Sequence, residues 1–204
     1  MYLTSSIALV GPICAGKTTL SQVIGDFFSL PVVHTDAHKG QYFLESGFNE
    51  EHAEDILKEE GIEAYYSYLK GFEYDYIVNN LVLPSSPSIY DFGAGFVCFD
   101  EVFKKLEVIK FLEKFDNVFL ILPHKDQEKS YQLIYNRLIE RSKTDKELFN
   151  YIIGKNFDLI EYFLQKFQDL SCHTKMEKIF TSYSLRHTLK NIITHLIEAK
   201  GVIL

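Results

Sequence analysis

The sequence of 204 residues is poor in several features that would mark other classes of protein. Its three cysteines, Cys14, Cys98 and Cys172, are far apart, odd in number and without CxxC spacing. That excludes a disulfide framework and a cysteine zinc site and fits a reducing, cytoplasmic setting. Basic residues are in deficit, with 21 Lys+Arg against 28 Asp+Glu and a formal net charge of −7. The chain as a whole therefore does not attract nucleic acid, and any polyanion must bind at a local cationic site. Seven histidines show no HExxH or other tight ligand spacing. No basic region precedes the N-terminal apolar run, which Gly11 and Pro12 interrupt, so neither a signal peptide nor a membrane span is expected. Internal repeats and low-complexity stretches are also missing.

What is present is ordinary globular composition, 47% hydrophobic and 24% charged, enough for one domain with a large core. Ser6-Ile7-Ala8-Leu9-Val10 is a short continuous apolar run ending at a glycine, as expected of a parallel strand buried on both faces. From Lys17 the spacing of Leu20, Val23, Ile24, Phe27 and Phe28 is helical, and Pro31 turns the chain into Val32-Val33. A polar stretch follows Asp36. Residues 49 to about 83 then read as two helices separated by Gly61, with Asn49 a candidate N-cap. Ser88 to Phe92 is a third strand, and residues 99 to 115 keep helical spacing. Asn117 to Leu122 is a fourth strand. A helical region from about Lys129 to Gln168 is broken by a charged patch at 140–146. Lys178 to Thr181 and Leu189 to Ala199 supply a fifth strand and a closing helix. Alternating strands and helices predict a doubly wound α/β fold: a parallel sheet of about five strands flanked by helices.

The chemistry concentrates in one motif. Gly11-Pro12-Ile13-Cys14-Ala15-Gly16-Lys17-Thr18 matches G-x-x-x-x-G-K-[ST], with a strand before it and a helix after it. Glycines at the loop ends let backbone N–H groups converge on phosphate oxygens, and the helix N-terminus adds partial positive charge. Lys17 is placed to reach the β and γ phosphates of ATP, and the Thr18 hydroxyl to ligate Mg²⁺. With Thr19, these residues form the expected nucleotide site. Asp91 ends the third strand beside this loop, where many phosphate-loop enzymes keep a Mg²⁺-organising carboxylate.

On these residues the sequence resembles the shikimate kinase family, within the nucleoside monophosphate kinase-like branch of phosphate-loop proteins. The likeness runs through Gly11 to Thr19 with Val33-His34-Thr35-Asp36, through Tyr90-Asp91-Phe92-Gly93-Ala94-Gly95, and through the strand and helix from Lys178 onward. It implies a single kinase domain over 1–204, with a helical acceptor-binding insertion at about 37–86 and a lid at about 129–150. It implies that Asp36 orients the attacking hydroxyl of a small molecule and takes its proton, and that Gly93, Ala94 and Gly95 line the acceptor pocket. It also implies an arginine from the lid over the transferred phosphoryl group, for which Arg141 is favoured over Arg137. The family's Asp-x-Asp pair reads His34-Thr35-Asp36 here, so either His34 or Asp91 stands in for the missing aspartate. No arginine lies between Asp36 and Gly93, where the family reads a carboxylate. Lys70 is nearest that position and is read as a solvated helix residue. In the helix before the last strand only Lys155 and Lys166 are available. Shikimate itself is therefore expected to be a poor acceptor.

The expected activity is thus ATP- and Mg²⁺-dependent phosphoryl transfer to a small-molecule hydroxyl, without membrane or nucleic-acid partners. The alternative is a nucleotide-binding switch or slow NTPase acting through a partner protein. A kinase of nucleotides or nucleic-acid ends is weakened by the scarcity of arginine on the acceptor side.

Overall fold

The structure is a computed structural model and describes residues 2–83, 85–143, 158–199 and 202–203. The chain opens with a two-residue strand, β1 (Tyr2–Leu3), and β2 (Ile7–Val10) follows. The chain then runs through α1 (Lys17–Phe28), β3 (Val32–His34), α2 (Thr35–Glu45), α3 (Glu50–Glu59) and α4 (Ile62–Asp75). A π-helical turn at Tyr76–Asn80 leads to β4 (Ile89–Asp91) and a 3₁₀ turn at Ala94–Val97. The remainder is α5 (Val102–Leu112), β5 (Asn117–Leu122), α6 (Gln127–Ser142), α7 (Leu159–His173), β6 (Glu177–Phe180), α8 (Leu185–Glu198) and β7 (Val202–Ile203). The main sheet is parallel and five-stranded, as expected from the sequence, and its strands run in the order β3-β4-β2-β5-β6. Outside it, β1 pairs antiparallel with β7, bringing the two ends of the chain together.

All four β2 residues and five of the six β5 residues are buried, as befits central strands covered on both faces. Their alternation sorts the core into two layers. Ile7 and Leu9 meet Leu20, Ile24 and Phe28 of α1 and Ile192 and Leu196 of α8. Ala8 and Val10 meet Phe111 and Leu112 of α5, Ile134 and Leu138 of α6, and Phe163 and Phe167 of α7. Among the described residues, no helix is long and apolar enough to cross a membrane.

Several local expectations are corrected. The polar stretch after Asp36 is helix α2; Phe43 is its buried apolar anchor, and an acid in its first turn suits the helix dipole. Two helices do flank Gly61, and the Asn49 side chain accepts from the His52 N–H at 3.0 Å. The helix expected from residue 99 begins at Val102, and its Val102, Phe103 and Leu106 face outward. Asp100, at a bend just before it, is held by Tyr162 and Lys166 of α7. Arg141, expected in a loop, lies in the last turn of α6. The part of the charged patch from 144 onward, together with Lys155, falls outside the described residues.

Candidate phosphate and acceptor site

In an open parallel sheet, ligands bind beyond the carboxyl ends of the strands where the strand order reverses. Here those ends belong to β2, β4 and β3, and they carry the motif loop, Asp91 and His34–Asp36 respectively. The loop from Gly11 to Gly16 curls around the Lys17 ammonium, which donates to the carbonyl oxygens of Gly11 at 2.8 Å and Pro12 at 2.9 Å. Gly11 has φ of +148°, and a Cβ there would overlap the Ile121 carbonyl of the neighbouring strand. Gly16, with φ of +100°, has space around it, so its left-handed backbone rather than crowding calls for glycine. No side chain caps the N-terminus of α1, which leaves its first N–H groups to a ligand. Thr18 and Thr19 are exposed there.

Lys17 is only 7% exposed, and burial holds its pKa below the ordinary lysine value. The carboxylates of Asp91 and Asp36 push it back up, which places both within electrostatic reach of the ammonium.

His34 and Asp91 are register partners on adjacent strands, and His34 Nδ1 lies 3.0 Å from Asp91 Oδ2. The Thr35 hydroxyl contacts the Asp91 carbonyl at 3.3 Å and accepts from the Gly93 N–H at 2.9 Å. This stitches the start of α2 to the end of β4. Asp36, next along, lays its carboxylate against Gly93 so closely that a Cβ at 93 would overlap it. The Asp36 side chain is otherwise open, 62% exposed and 3.2 Å from Lys39 Nζ. The residues expected at the acceptor, Asp36 with Gly93, Ala94 and Gly95, are thus brought together with Lys17 and Asp91.

On the other side of the loop is a cavity of about 440 Å³ lined by Cys14, Gly16 to Leu20, Arg137, Arg141, Thr181, Tyr183, Leu185 and Thr188. Arg141 stands at its exposed rim. Arg137 is a tie across its wall, donating to the carbonyls of Cys14 at 2.9 Å and Thr181 at 3.2 Å, and to Thr181 Oγ1 at 3.2 Å. The Thr181 hydroxyl in turn donates to the Ala15 carbonyl at 2.7 Å. The sequence reading gave Thr181 to the fifth strand and assigned no site role to Thr181, Tyr183, Leu185 or Thr188. Their one signal was position, directly after the last strand of the sheet.

Lys70 is not the solvated residue expected. Its side chain is 12% exposed, lies 2.9 Å from Glu73, donates to the Gly95 carbonyl, and sits over the rings of Tyr66 and Phe99 at 4.3 and 4.7 Å. Lys166, the other lysine weighed as an arginine substitute, is taken by Asp100.

A metal riding with nucleotide phosphates needs few protein ligands, all oxygen. Thr18 Oγ1 and the Asp91 carboxylate fit that demand for Mg²⁺. No cluster of three or more His, Cys, Asp or Glu suited to a metal occurs among the described residues.

A glycine loop enclosing a lysine at the end of a central parallel strand, in a five-stranded sheet of order β3-β4-β2-β5-β6, defines the phosphate-loop kinase type of α/β fold. Solved structures of this fold span nearly the whole chain. Shikimate kinase from Acinetobacter baumannii in complex with shikimate is 15% identical, with 97% of this chain and 95% of that one covered at a TM-score of 0.60. Shikimate kinase from Bacteroides thetaiotaomicron is 15% identical over 96% and 99% at 0.56. Deoxyadenosine kinase from M. mycoides with bound dCTP is 16% identical over 95% and 99%, also at 0.56. No protein-family model and no curated protein sequence matches the chain.

Proposed function

We propose that the protein transfers the γ-phosphoryl group of ATP to a hydroxyl of a small molecule. One observation carries this reading: Asp36, an open carboxylate, is packed on Gly93 within electrostatic reach of the Lys17 ammonium at the heart of the phosphate loop. A phosphate-binding loop alone fits many activities. A solvent-accessible base beside it fits a protonated nucleophile that must be aligned and relieved of its proton.

Each residue has a task. Backbone N–H groups of the loop and of the α1 N-terminus hold the phosphates, while Lys17 exchanges its loop carbonyls for phosphate oxygens. Arg141, and Arg137 if it leaves its tie, supplies planar cationic donors over the transferred group. Asp36 accepts the proton as the acceptor oxygen bonds to the γ-phosphorus and the bond to the β–γ bridging oxygen breaks, leaving ADP. Thr18 and Asp91 would hold Mg²⁺, which neutralises phosphate charge when bound. The cavity lined by Tyr183, Leu185 and Thr188 takes the nucleoside end, and the helices within 37–86 close the acceptor end. The described part of the expected lid, residues 129–143, brings Arg137 and Arg141 to the cavity. Shikimate and deoxyadenosine, which give the similar structures their names, are both hydroxyl-bearing.

The test is ATP consumption by the purified protein with and without pooled hydroxylated metabolites. Stimulation by a pool, absent in Asp36→Asn, is the expected result. A slow rate indifferent to every pool would favour a nucleotide-dependent switch instead.

A further inference from the structure

Two carboxylates flank the short segment from Gly93 to Gly95. Asp36 packs on Gly93 and Glu73 packs on Gly95, each so tightly that a Cβ on the glycine would overlap the carboxylate. Each acid has its own lysine, Lys39 for Asp36 at 3.2 Å and Lys70 for Glu73 at 2.9 Å. The second pair is buried, with Glu73 5% exposed, and Lys70 is used up further by the Gly95 carbonyl and the faces of Tyr66 and Phe99. The charges along this segment therefore cancel pairwise. Between Asp36 and Gly93 the chain contains no arginine that could add to them.

We infer that the acceptor is an uncharged polyhydroxyl compound, such as a sugar, polyol or nucleoside, and that Glu73 sets this preference by neutralising Lys70. The inference rests on the phosphoryl-transfer reading. Its physical basis is desolvation. A carboxylate or phosphate entering this segment gives up hydration, meets the open Asp36 carboxylate, and finds Lys70 behind Gly95 already neutralised by the buried Glu73. A hydroxyl compound gives up far less and finds the open Asp36 carboxylate, which accepts its hydrogen bonds. Freed of Glu73, Lys70 becomes an unneutralised, largely dry cation held against the Gly95 carbonyl of this segment, and such a cation favours an anion there.

The experiment measures acceptor-stimulated ATP consumption with matched pairs: glucose and glucuronate, adenosine and AMP, methyl shikimate and shikimate. Wild-type protein is expected to prefer the neutral member of whichever pair it uses by at least about tenfold in kcat/KM. Glu73→Gln is expected to narrow that ratio by about tenfold, through a gain for the charged member, as Lys70 is released. The double variant Lys70→Met with Glu73→Gln lacks the freed cation and is expected to keep the wild-type ratio. Preference for a charged member in wild type, or an unchanged ratio in folded Glu73→Gln, overturns the inference while leaving phosphoryl transfer standing. Should Glu73→Gln not fold, the wild-type ratio alone decides. ATP binding without stimulation by these pairs or by any pool of hydroxylated metabolites overturns the phosphoryl-transfer reading itself, and this inference with it.

Discussion

Replacing Lys17 with methionine separates binding chemistry from folding. In the free protein the ammonium is buried and donates to two loop carbonyls, at 2.8 and 2.9 Å. Losing two hydrogen bonds from a charged donor costs about 1.5–3 kcal/mol each. Removing a buried charge returns several kcal/mol of desolvation, so the two effects largely offset. Methionine fills a similar space and buries more apolar surface. Stability should therefore change by no more than about 2 kcal/mol, read as a small shift of the denaturant midpoint. Function has no such offset. One unit charge about 4 Å from a phosphate oxygen, at an effective dielectric near 20, contributes about 4 kcal/mol, which is roughly a thousandfold in rate. Steady-state ATP turnover in folded Lys17→Met should fall by about that factor. Turnover within about tenfold of wild type would refute the placement of Lys17 on the phosphates.

Three other outcomes are expected. Asp36→Asn should abolish phosphorylation of the acceptor while leaving nucleotide affinity within about threefold, measured by calorimetric titration, because its carboxylate lies against Gly93 and Lys39 and does not line the cavity beside the loop. Asp91→Asn should raise the Mg²⁺ concentration needed for half-maximal turnover by about tenfold; an unchanged requirement in this variant, with a raised one in His34→Ala, would move the ligand to His34. Burial pushes the Cys98 thiol up to about 12, so at about pH 8 a colorimetric disulfide reagent should find Cys14 and Cys172 reactive and Cys98 reactive only after unfolding. Saturating Mg·ATP should then protect Cys14, which lines the cavity.

The phosphate loop was legible because its geometry is local: eight consecutive residues, with two glycines at the positions where backbone crowding and left-handed φ require them. Strands β2 and β5 were legible because burial on both faces leaves a continuous apolar run. Helix α2 was not, since it buries little more than Phe43 and its polar surface reads as a loop. The outward Val102, Phe103 and Leu106 carry the same period as buried neighbours, and a period does not say which face meets the core. The two arginines of α6 stand one turn apart, and only the packed structure separates Arg137, tied to Cys14 and Thr181, from Arg141 at the cavity rim. Lys70 and Glu73 have the spacing of an ordinary solvated helix pair. Their burial depends on Gly95, Tyr66 and Phe99, residues brought in by tertiary packing.

The central claim, phosphoryl transfer from ATP to a hydroxyl, is tested most directly by mass spectrometry of a metabolite mixture incubated with the protein, Mg²⁺ and ATP labelled in its γ-phosphoryl group. The account predicts a labelled, phosphorylated small molecule formed by wild type and absent with Asp36→Asn and Lys17→Met. Label released only as inorganic phosphate, at the same rate with and without the mixture, would contradict it.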